Sequence, residues 1–439
     1  MERVTATTAP AEPSAAGPRR PVPRMPGAGT RRFAAAGTFV LLGVADIALF
    51  GLTARSGDAI FALSLPGAGV QLPAVHVAAA AACFVLGGIS VAAGLARGLA
   101  RLSGRLNRLV IATALVCFLL ALLCWSDAAN PAGPLNVIGL LQGTLTAAIP
   151  LVLGALAGLM GERAGVINIA IEGQLIFGAF AAAAVASAVG VLWFGLIAGS
   201  LAGGLLGALL ATFAIKYRVD QIVLGVVLNL IAAGLTTYLF NRVMAPYSNT
   251  FNSGNFFGTD KIPGLGDIPV IGPIFFDSNV FLYLTYFMII VVQVALFHSR
   301  WGLRVRAVGE HPAAAETVGI KVLWTRYRNV ILGGMVAGIG GASLTIGSVG
   351  QFQPGMSSGF GYIALAAMIF GRWRPIGAVA AALLFGFSKQ LGYVLQLLNV
   401  PIDSQVLAMA PYVATIIAVA GLVGKVRAPA ADGKPYVKT

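Results

Sequence analysis

Gly161-Glu162-Arg163-Ala164-Gly165-Val166-Ile167-Asn168-Ile169-Ala170-Ile171-Glu172-Gly173-Gln174 puts two carboxylates, an arginine, an asparagine and three glycines between two long apolar runs. A lipid-facing helix does not carry that set, because ionisable groups in hydrocarbon cost kilocalories unless they are paired or line a wet cavity. Polar groups and glycines at membrane depth are the mark of a broken helix beside a solute pathway. The reading of the whole chain grows from that stretch.

Its surroundings are apolar throughout. Of 439 residues, 58% are hydrophobic and 10% are charged, with a mean hydropathy of +0.88. Soluble domains carry about 25% charged residues, so the composition implies an all-α polytopic membrane protein. Apolar runs of about 20 residues are candidate spans. They fall near 33–53, 74–96, 109–125, 136–159, 166–189, 191–214, 221–241, 279–298, 329–349, 359–371, 375–398 and 405–423. That predicts about twelve spans with both termini on the same side. Two of them are candidate half-helices: 359–371 is too short to cross ~30 Å, and 166–189 opens on the polar stretch.

The net charge of +14 is distributed by topology. The spans place 25 of the 29 Lys and Arg on one side; Arg55, Arg242 and Lys261 fall on the other, and Lys389 lies within a span. This asymmetry is the positive-inside pattern. It makes the basic side cytoplasmic and in contact with anionic lipid, and it argues against nucleic acid as a partner. Residues 1–32, rich in Pro, Ala and Arg, read as a disordered cytoplasmic tail. The run that follows is longer than a signal-peptide core and reads as an uncleaved span.

Catalytic signatures do not emerge. There is no phosphate-binding Gly-x-x-x-x-Gly-Lys-Ser/Thr loop, and the three histidines, His76, His298 and His311, form neither a zinc nor a triad pattern. Cys83, Cys117 and Cys124 sit in apolar runs without paired spacing and read as small buried side chains. A non-enzymatic transport component follows, with no cofactor or metal of its own. Energy for uphill movement has to come from elsewhere.

The 300–328 loop offers the connection. In Glu310-His311-Pro312-Ala313-Ala314-Ala315-Glu316-Thr317-Val318-Gly319-Ile320, Pro312 suits a first helical turn, Glu310 complements its N-terminal end, and Gly319 is a natural stop. The product is a short exposed helix of small residues that another protein can cup. This loop resembles the coupling loop of ABC importer permeases, in the superfamily of branched-chain amino acid, simple sugar and nucleoside permeases. Glu162 to Gly173 is similar to the nucleoside (basic membrane protein-associated) type, where ribose-type permeases tend to show Asp-Leu-Ser-Val-Gly and amino-acid permeases Asn-x-Ala-His-Gly. Gly350-Gln351-Phe352-Gln353-Pro354-Gly355-Met356-Ser357-Ser358-Gly359-Phe360-Gly361-Tyr362, followed by Phe370-Gly371-Arg372-Trp373-Arg374-Pro375, fits the same group.

The resemblance implies a type II-like permease core over 136–425, preceded by an extension of three spans over 33–130 and followed by a cytoplasmic tail over 426–439. It implies a bacterial plasma membrane location and a second, non-identical permease subunit. A separate ATPase carrying ATP and Mg would dock on Glu310, Pro312, Ala313, Ala314, Glu316 and Gly319, and a lipoprotein would deliver cargo from outside. Nucleosides are the expected cargo, with a simple sugar such as a pentose as the alternative. An ion-coupled secondary transporter and a membrane enzyme are rivals of other classes. Candidate pathway residues are Asn168 and Glu172, which share a face if both are helical, then Asn229, and then Gln351, Phe352 and Gln353, whose amides and aromatic ring suit a base and ribose. The remaining polar groups in spans, Asp46 and Lys389, stay open between pairing, snorkelling and function.

Overall fold

The computed structural model describes residues 28–66, 70–100, 103–130, 133–400, a few positions between 402 and 409, and 427–437. The expected span at 405–423 and nearly all of the 1–32 tail lie outside the described residues. Among them, nine helices are long and apolar enough to cross a membrane. The chain divides into two compact units, one comprising residues 1–58 and 77–129, the other residues 59–76 and 130–439.

The first unit contains α1 (Ala28–Ala45), α2 (Ala79–Leu99) and α3 (Gly104–Asp127). Glycines bring α1 and α2 into backbone contact: a Cβ on Gly43 would lie 2.6 Å from the carbonyl of Gly87. Asp46, in the π-turn that continues α1, is buried and accepts a hydrogen bond from the Ser90 hydroxyl at 3.4 Å. Cys83, Cys117 and Cys124 are free, buried thiols of this unit.

The second unit runs through α4 (Val137–Glu162), α5 (Ile171–Val189), α6 (Leu192–Ala211), α7 (Gln221–Leu239), α8 (Ser248–Phe251), α9 (Ile271–Phe275) and α10 (Val280–Phe297). It continues with α11 (Arg300–Glu310), α12 (Pro312–Thr317), α13 (Val322–Leu344), α14 (Phe360–Phe370) and α15 (Pro375–Leu397). Helix starts follow local chemistry. Asn136, Asp220, Asn279 and Ser299 each offer a side-chain oxygen to backbone N–H groups that open α4, α7, α10 and α11. Pro375 occupies the first turn of α15, and Gly190 at φ +74 ends α5.

Helix α4 is buried along nearly all of its last half, from Ala148 to Glu162. Around it the core joins Leu153 and Leu156 to Leu175 of α5, Phe281 of α10, Ala337 of α13, Ala364 of α14 and Phe385 of α15. Lipid tails are as apolar as leucine, so helices associate here through close packing rather than through a hydrophobic driving force. Glycines supply it. Gly199 and Gly203 on α6, four residues apart, face Gly334 and Gly338 on α13. A Cβ on Gly203 would lie 2.3 Å from the Gly334 carbonyl, and one on Gly338 would lie 2.2 Å from that of Gly199. The small-residue runs of the sequence therefore serve helix packing.

That geometry makes a signed prediction. Gly203→Ala overpacks a backbone contact and costs about 1–3 kcal/mol, whereas Gly234 on α7 has nothing within 4 Å of the new carbon. Gly234→Ala gains helix propensity, up to about 1 kcal/mol. Thermal unfolding in detergent shows Tm falling for the first variant and holding or rising for the second.

Candidate functional site

The opening stretch forms a break between two helices. α4 ends at Glu162, and the chain turns back through Gly165 at φ +86, a conformation that favours glycine. Residues 166–168 have no regular secondary structure, and helix resumes only at Ile171. Non-helical backbone at membrane depth survives only when its polar groups are satisfied by protein, and two side chains do this through three hydrogen bonds. Gln221 accepts from the Ile167 N–H at 2.8 Å; Asn229 donates to the Ile169 carbonyl at 3.0 Å and accepts from the Gly173 N–H at 2.7 Å. Asn229 also donates to the Tyr362 hydroxyl at 3.2 Å.

The helical face expected to join Asn168 and Glu172 is not formed, because Asn168 precedes the helix. Its side chain is buried and pairs with Gln174 at 3.1 and 3.4 Å, closing the break locally.

Glu172 has a different partner. Its carboxylate accepts from the Ser357 hydroxyl at 2.6 Å and from the N–H groups of Gly359 and Gly361 at 2.9 and 2.6 Å. These donors open α14, so a negative charge sits where a helix N-terminus leaves amides unpaired and positively polarised. The two backbones touch: a Cβ on Gly361 would lie 2.3 Å from the Glu172 nitrogen. With 11 residues, α14 is about 16 Å long, about half of the ~30 Å hydrocarbon layer. The run at 359–371 thus forms a helix too short to cross the layer, with Glu172 at its start.

The other end of α14 is held from the same stretch. The Trp373 indole N–H donates to Glu162 at 2.6 Å, and the Arg163 guanidinium donates to the Trp373 carbonyl at 2.6 and 2.9 Å. Glu162 and Glu172 thus clamp the two ends of one half-helix, which the notation of the sequence alone does not reveal. Trp373 is the functional partner that residue-by-residue reading missed; its only signal was its place in the Gly371-Arg372-Trp373-Arg374 turn.

The 350–359 segment descends from the far end of α13 to this point. Phe352 is wholly buried, edge-on to Phe180 with ring centroids 5.3 Å apart, and its backbone is bracketed by the Asn252 amide at 2.8 and 3.1 Å. Gln351 is exposed and donates to the Asn252 carbonyl at 3.3 Å, while Gln353 is exposed. The structure brings Glu172, Asn229 and Ser357 together, and places Gln351, Phe352 and Gln353 apart from them.

At the basic end, α11 and α12 make a compact arm. Pro312 starts α12, Gly319 at φ +84 ends it, and Ala315 is buried against Val308 and Val322. His311, Ala313, Ala314, Thr317, Val318 and Gly319 are exposed. The root of the arm is pressed on the break: a Cβ on Gly309 would lie 2.2 Å from the Arg163 carbonyl.

Residues 427–437, expected as a plain tail, are seated on this arm. The Ala431 N–H donates to the Gly309 carbonyl at 2.9 Å, the Ala430 N–H to Glu310 at 3.2 Å, and the Tyr436 hydroxyl to Glu316. Arg326 donates to the Lys434 carbonyl at 2.9 Å. Asp432 is carried inward beside Glu162, and burial pushes its carboxyl up to about 7.

The chain belongs to the family described as branched-chain amino acid transport system / permease component, whose model matches residues 140–423. It is 41% identical to the guanosine ABC transporter permease protein NupQ of Bacillus subtilis over 311 residues, covering 68% of this chain and 96% of that one. It is 38% identical to the nucleoside ABC transporter permease protein NupC of Lactococcus lactis over 323 residues, 70% and 100% of the two chains. A putative glucose ABC transporter permease protein of Haloferax volcanii, TsgC13, is 33% identical over 296 residues, 63% and 89% of the two chains. No solved structure matches the chain.

Two outcomes are expected at this site. Glu172→Ala leaves two buried N–H groups and a hydroxyl without their acceptor, at about 1–3 kcal/mol each, so Tm falls by more than it does for Glu172→Gln, which keeps one acceptor oxygen. Asp432, whose folded pKa of about 7 exceeds its unfolded value of 3.8, binds a proton more readily when the tail is docked. Docking is therefore fully favoured below pH 4 and loses stability as pH rises through 7. Hydrogen exchange at the Ala430 and Ala431 amides speeds up between pH 6 and 8 beyond the intrinsic rate, and Asp432→Asn removes that extra dependence.

Proposed function

We propose that this chain is a permease subunit of an ABC importer that carries nucleosides inward across a bacterial plasma membrane. The observation that carries the reading is the exposed α12 arm, rooted on Arg163 at the break and built of small residues that a partner can cover closely. The two nucleoside-type relatives, matched over nearly their whole length, support the cargo class. The basic end is the cytoplasmic face by the positive-inside bias, which puts α12 where an ATPase can reach it and leaves the 242–278 segment outside for a lipoprotein donor.

In this reading the chain has about twelve spans in a type II-like arrangement, both termini are cytoplasmic, and a second permease completes the pathway. ATP and Mg reside on the partner ATPase, with none held by this chain. ATP binding draws the α11–α12 arm, the contact at Gly309 moves Arg163, and the Arg163–Trp373 bond carries the shift to α14. Glu172, Asn168 and Asn229 act on the pathway by holding its hinge. The extension over 33–130 is a separate addition to the 136–425 core.

A simple sugar is the second reading, favoured by the glucose-type relative at 33% identity. Ion-coupled transport has less to work with, because the three hydrogen bonds to Glu172 engage the carboxylate such coupling needs.

Gly319→Pro forces φ to about −65° where the chain needs a positive value, and Ala314→Trp puts bulk on the exposed docking face. Both are expected to abolish uptake of labelled guanosine or adenosine and to lose co-purification of the ATPase, with membrane insertion intact. Normal uptake with either variant overturns the coupling role of α12.

A further inference from the structure

Lys389 lies about 21 Å along α15 from Pro375, by the helical rise, deep in a span that begins at the basic end. A lysine at that depth is expected to snorkel toward a headgroup or to neutralise a carboxylate. It does neither. Among the described residues it forms no ion pair, and its ammonium sits 3.6 Å from the centroid of the Phe360 ring. Phe360 is the first residue of α14, immediately beside the Glu172 clamp.

The pair stands on the wall of a cavity of about 530 Å³ between α4, the end of α13, the start of α14 and the second half of α15, lined also by Gln142, Thr146, Ser343 and Gln390. Sites for small molecules fall in the range of about 300–1,000 Å³. The wall combines one cation, two amides, three hydroxyls and an aromatic face, a set a lipid-facing surface does not carry. Two backbone features open it. Pro150 inside α4 brings no N–H to the Thr146 carbonyl, which leaves an acceptor on this face. Gly143 makes room for the Gln390 amide, since a Cβ there would lie 2.3 Å from its nitrogen.

We infer that this cavity is the cargo-contacting half of the pathway, and that it takes a neutral planar heterocycle bearing hydroxyl groups, held by stacking on Phe360 and by hydrogen bonds from Lys389 to ring nitrogen or carbonyl acceptors. The inference deepens the nucleoside-importer reading and rests on it. The ammonium covers the Phe360 face. A base that stacks there displaces the ammonium, and the base's own acceptors then receive it, so the cation–π contact, about 0.5–2 kcal/mol, is exchanged rather than lost. Lys389 is selected over a neutral residue because it supplies three donors and repels cations from the passage. The earlier candidates Asn168, Glu172 and Asn229 are engaged at the break and at the start of α14, and none of them lines this cavity.

The test uses the full transporter, with its second permease, ATPase and binding lipoprotein, in proteoliposomes. In a chain carrying Cys83→Ala, Cys117→Ala and Cys124→Ala, Thr146→Cys is exposed to a water-soluble thiosulfonate. Rapid labelling that slows at least about fivefold with saturating guanosine and binding protein is expected, while Leu230→Cys, exposed on α7, is unaffected by cargo. Lys389→Met raises the transport KM about tenfold, the size of one charge-assisted hydrogen bond, Lys389→Arg raises it less, and Phe360→Leu is worse than Phe360→Trp. Labelling indifferent to cargo, or an unchanged KM in Lys389→Met, overturns the site. Loss of the second permease from the Lys389→Met complex also overturns it, by making Lys389 a subunit-pairing residue. Absence of guanosine or adenosine uptake by the unaltered transporter sinks the nucleoside reading itself, whereas uptake without protection sinks the cavity alone.

Discussion

A half-helix cannot stand in a membrane unaided, because both of its ends leave unpaired amides or carbonyls where water is scarce. Glu162 and Glu172 resolve that constraint for α14. One carboxylate takes the amides at its start, and the other takes the indole that follows its end. Charge helps as well as geometry, since the Glu172 carboxylate meets the positive end of the helix dipole. With α14 held in this way, α4 and α5 must separate around it, and the Gly165 turn and the Gln221 and Asn229 brackets become necessary.

The same stretch connects the clamp to the surface. Arg163 binds the Trp373 carbonyl on one side and carries the backbone on which Gly309 rests on the other. The Gly309 contact is backbone on backbone, and the Arg163 guanidinium reaches the Trp373 carbonyl through two hydrogen bonds. Interiors packed at this density behave as switches between discrete arrangements rather than as springs. The tail from 427 to 437 adds a further hand on that linkage, since it bonds Gly309, Glu310 and Glu316 at once.

Much of this was legible in the residues. The polar block at 161–174, the short run at 359–371 and the Pro312–Gly319 punctuation each break a strong local rule, and each marks a real break, half-helix or exposed turn. The glycine runs on α6 and α13 announced close packing because lipid offers no other way to join helices. Less legible was which polar group faces which. Asn168 and Glu172 are four apart, yet a helix that starts three residues after Asn168 sends them to different partners. Gln351 and Phe352 suited a cargo by chemistry, and the Asn252 bracket and the Phe180 contact occupy them instead.

The amino-acid order by itself determined the membrane class, the basic face, the place of the helical break and the exposed α12 turn, because each depends on composition and on neighbours within one or two turns. Only the tertiary structure decided that Glu162 and Glu172 hold one half-helix from opposite ends, that the tail seats Asp432 beside Glu162, and that Lys389 lies on Phe360 above a polar cavity. Those pairings join residues up to about 270 positions apart in the chain. Hydrogen bonds and ring contacts at such separations are set by how the helices pack, and local pattern carries no record of that.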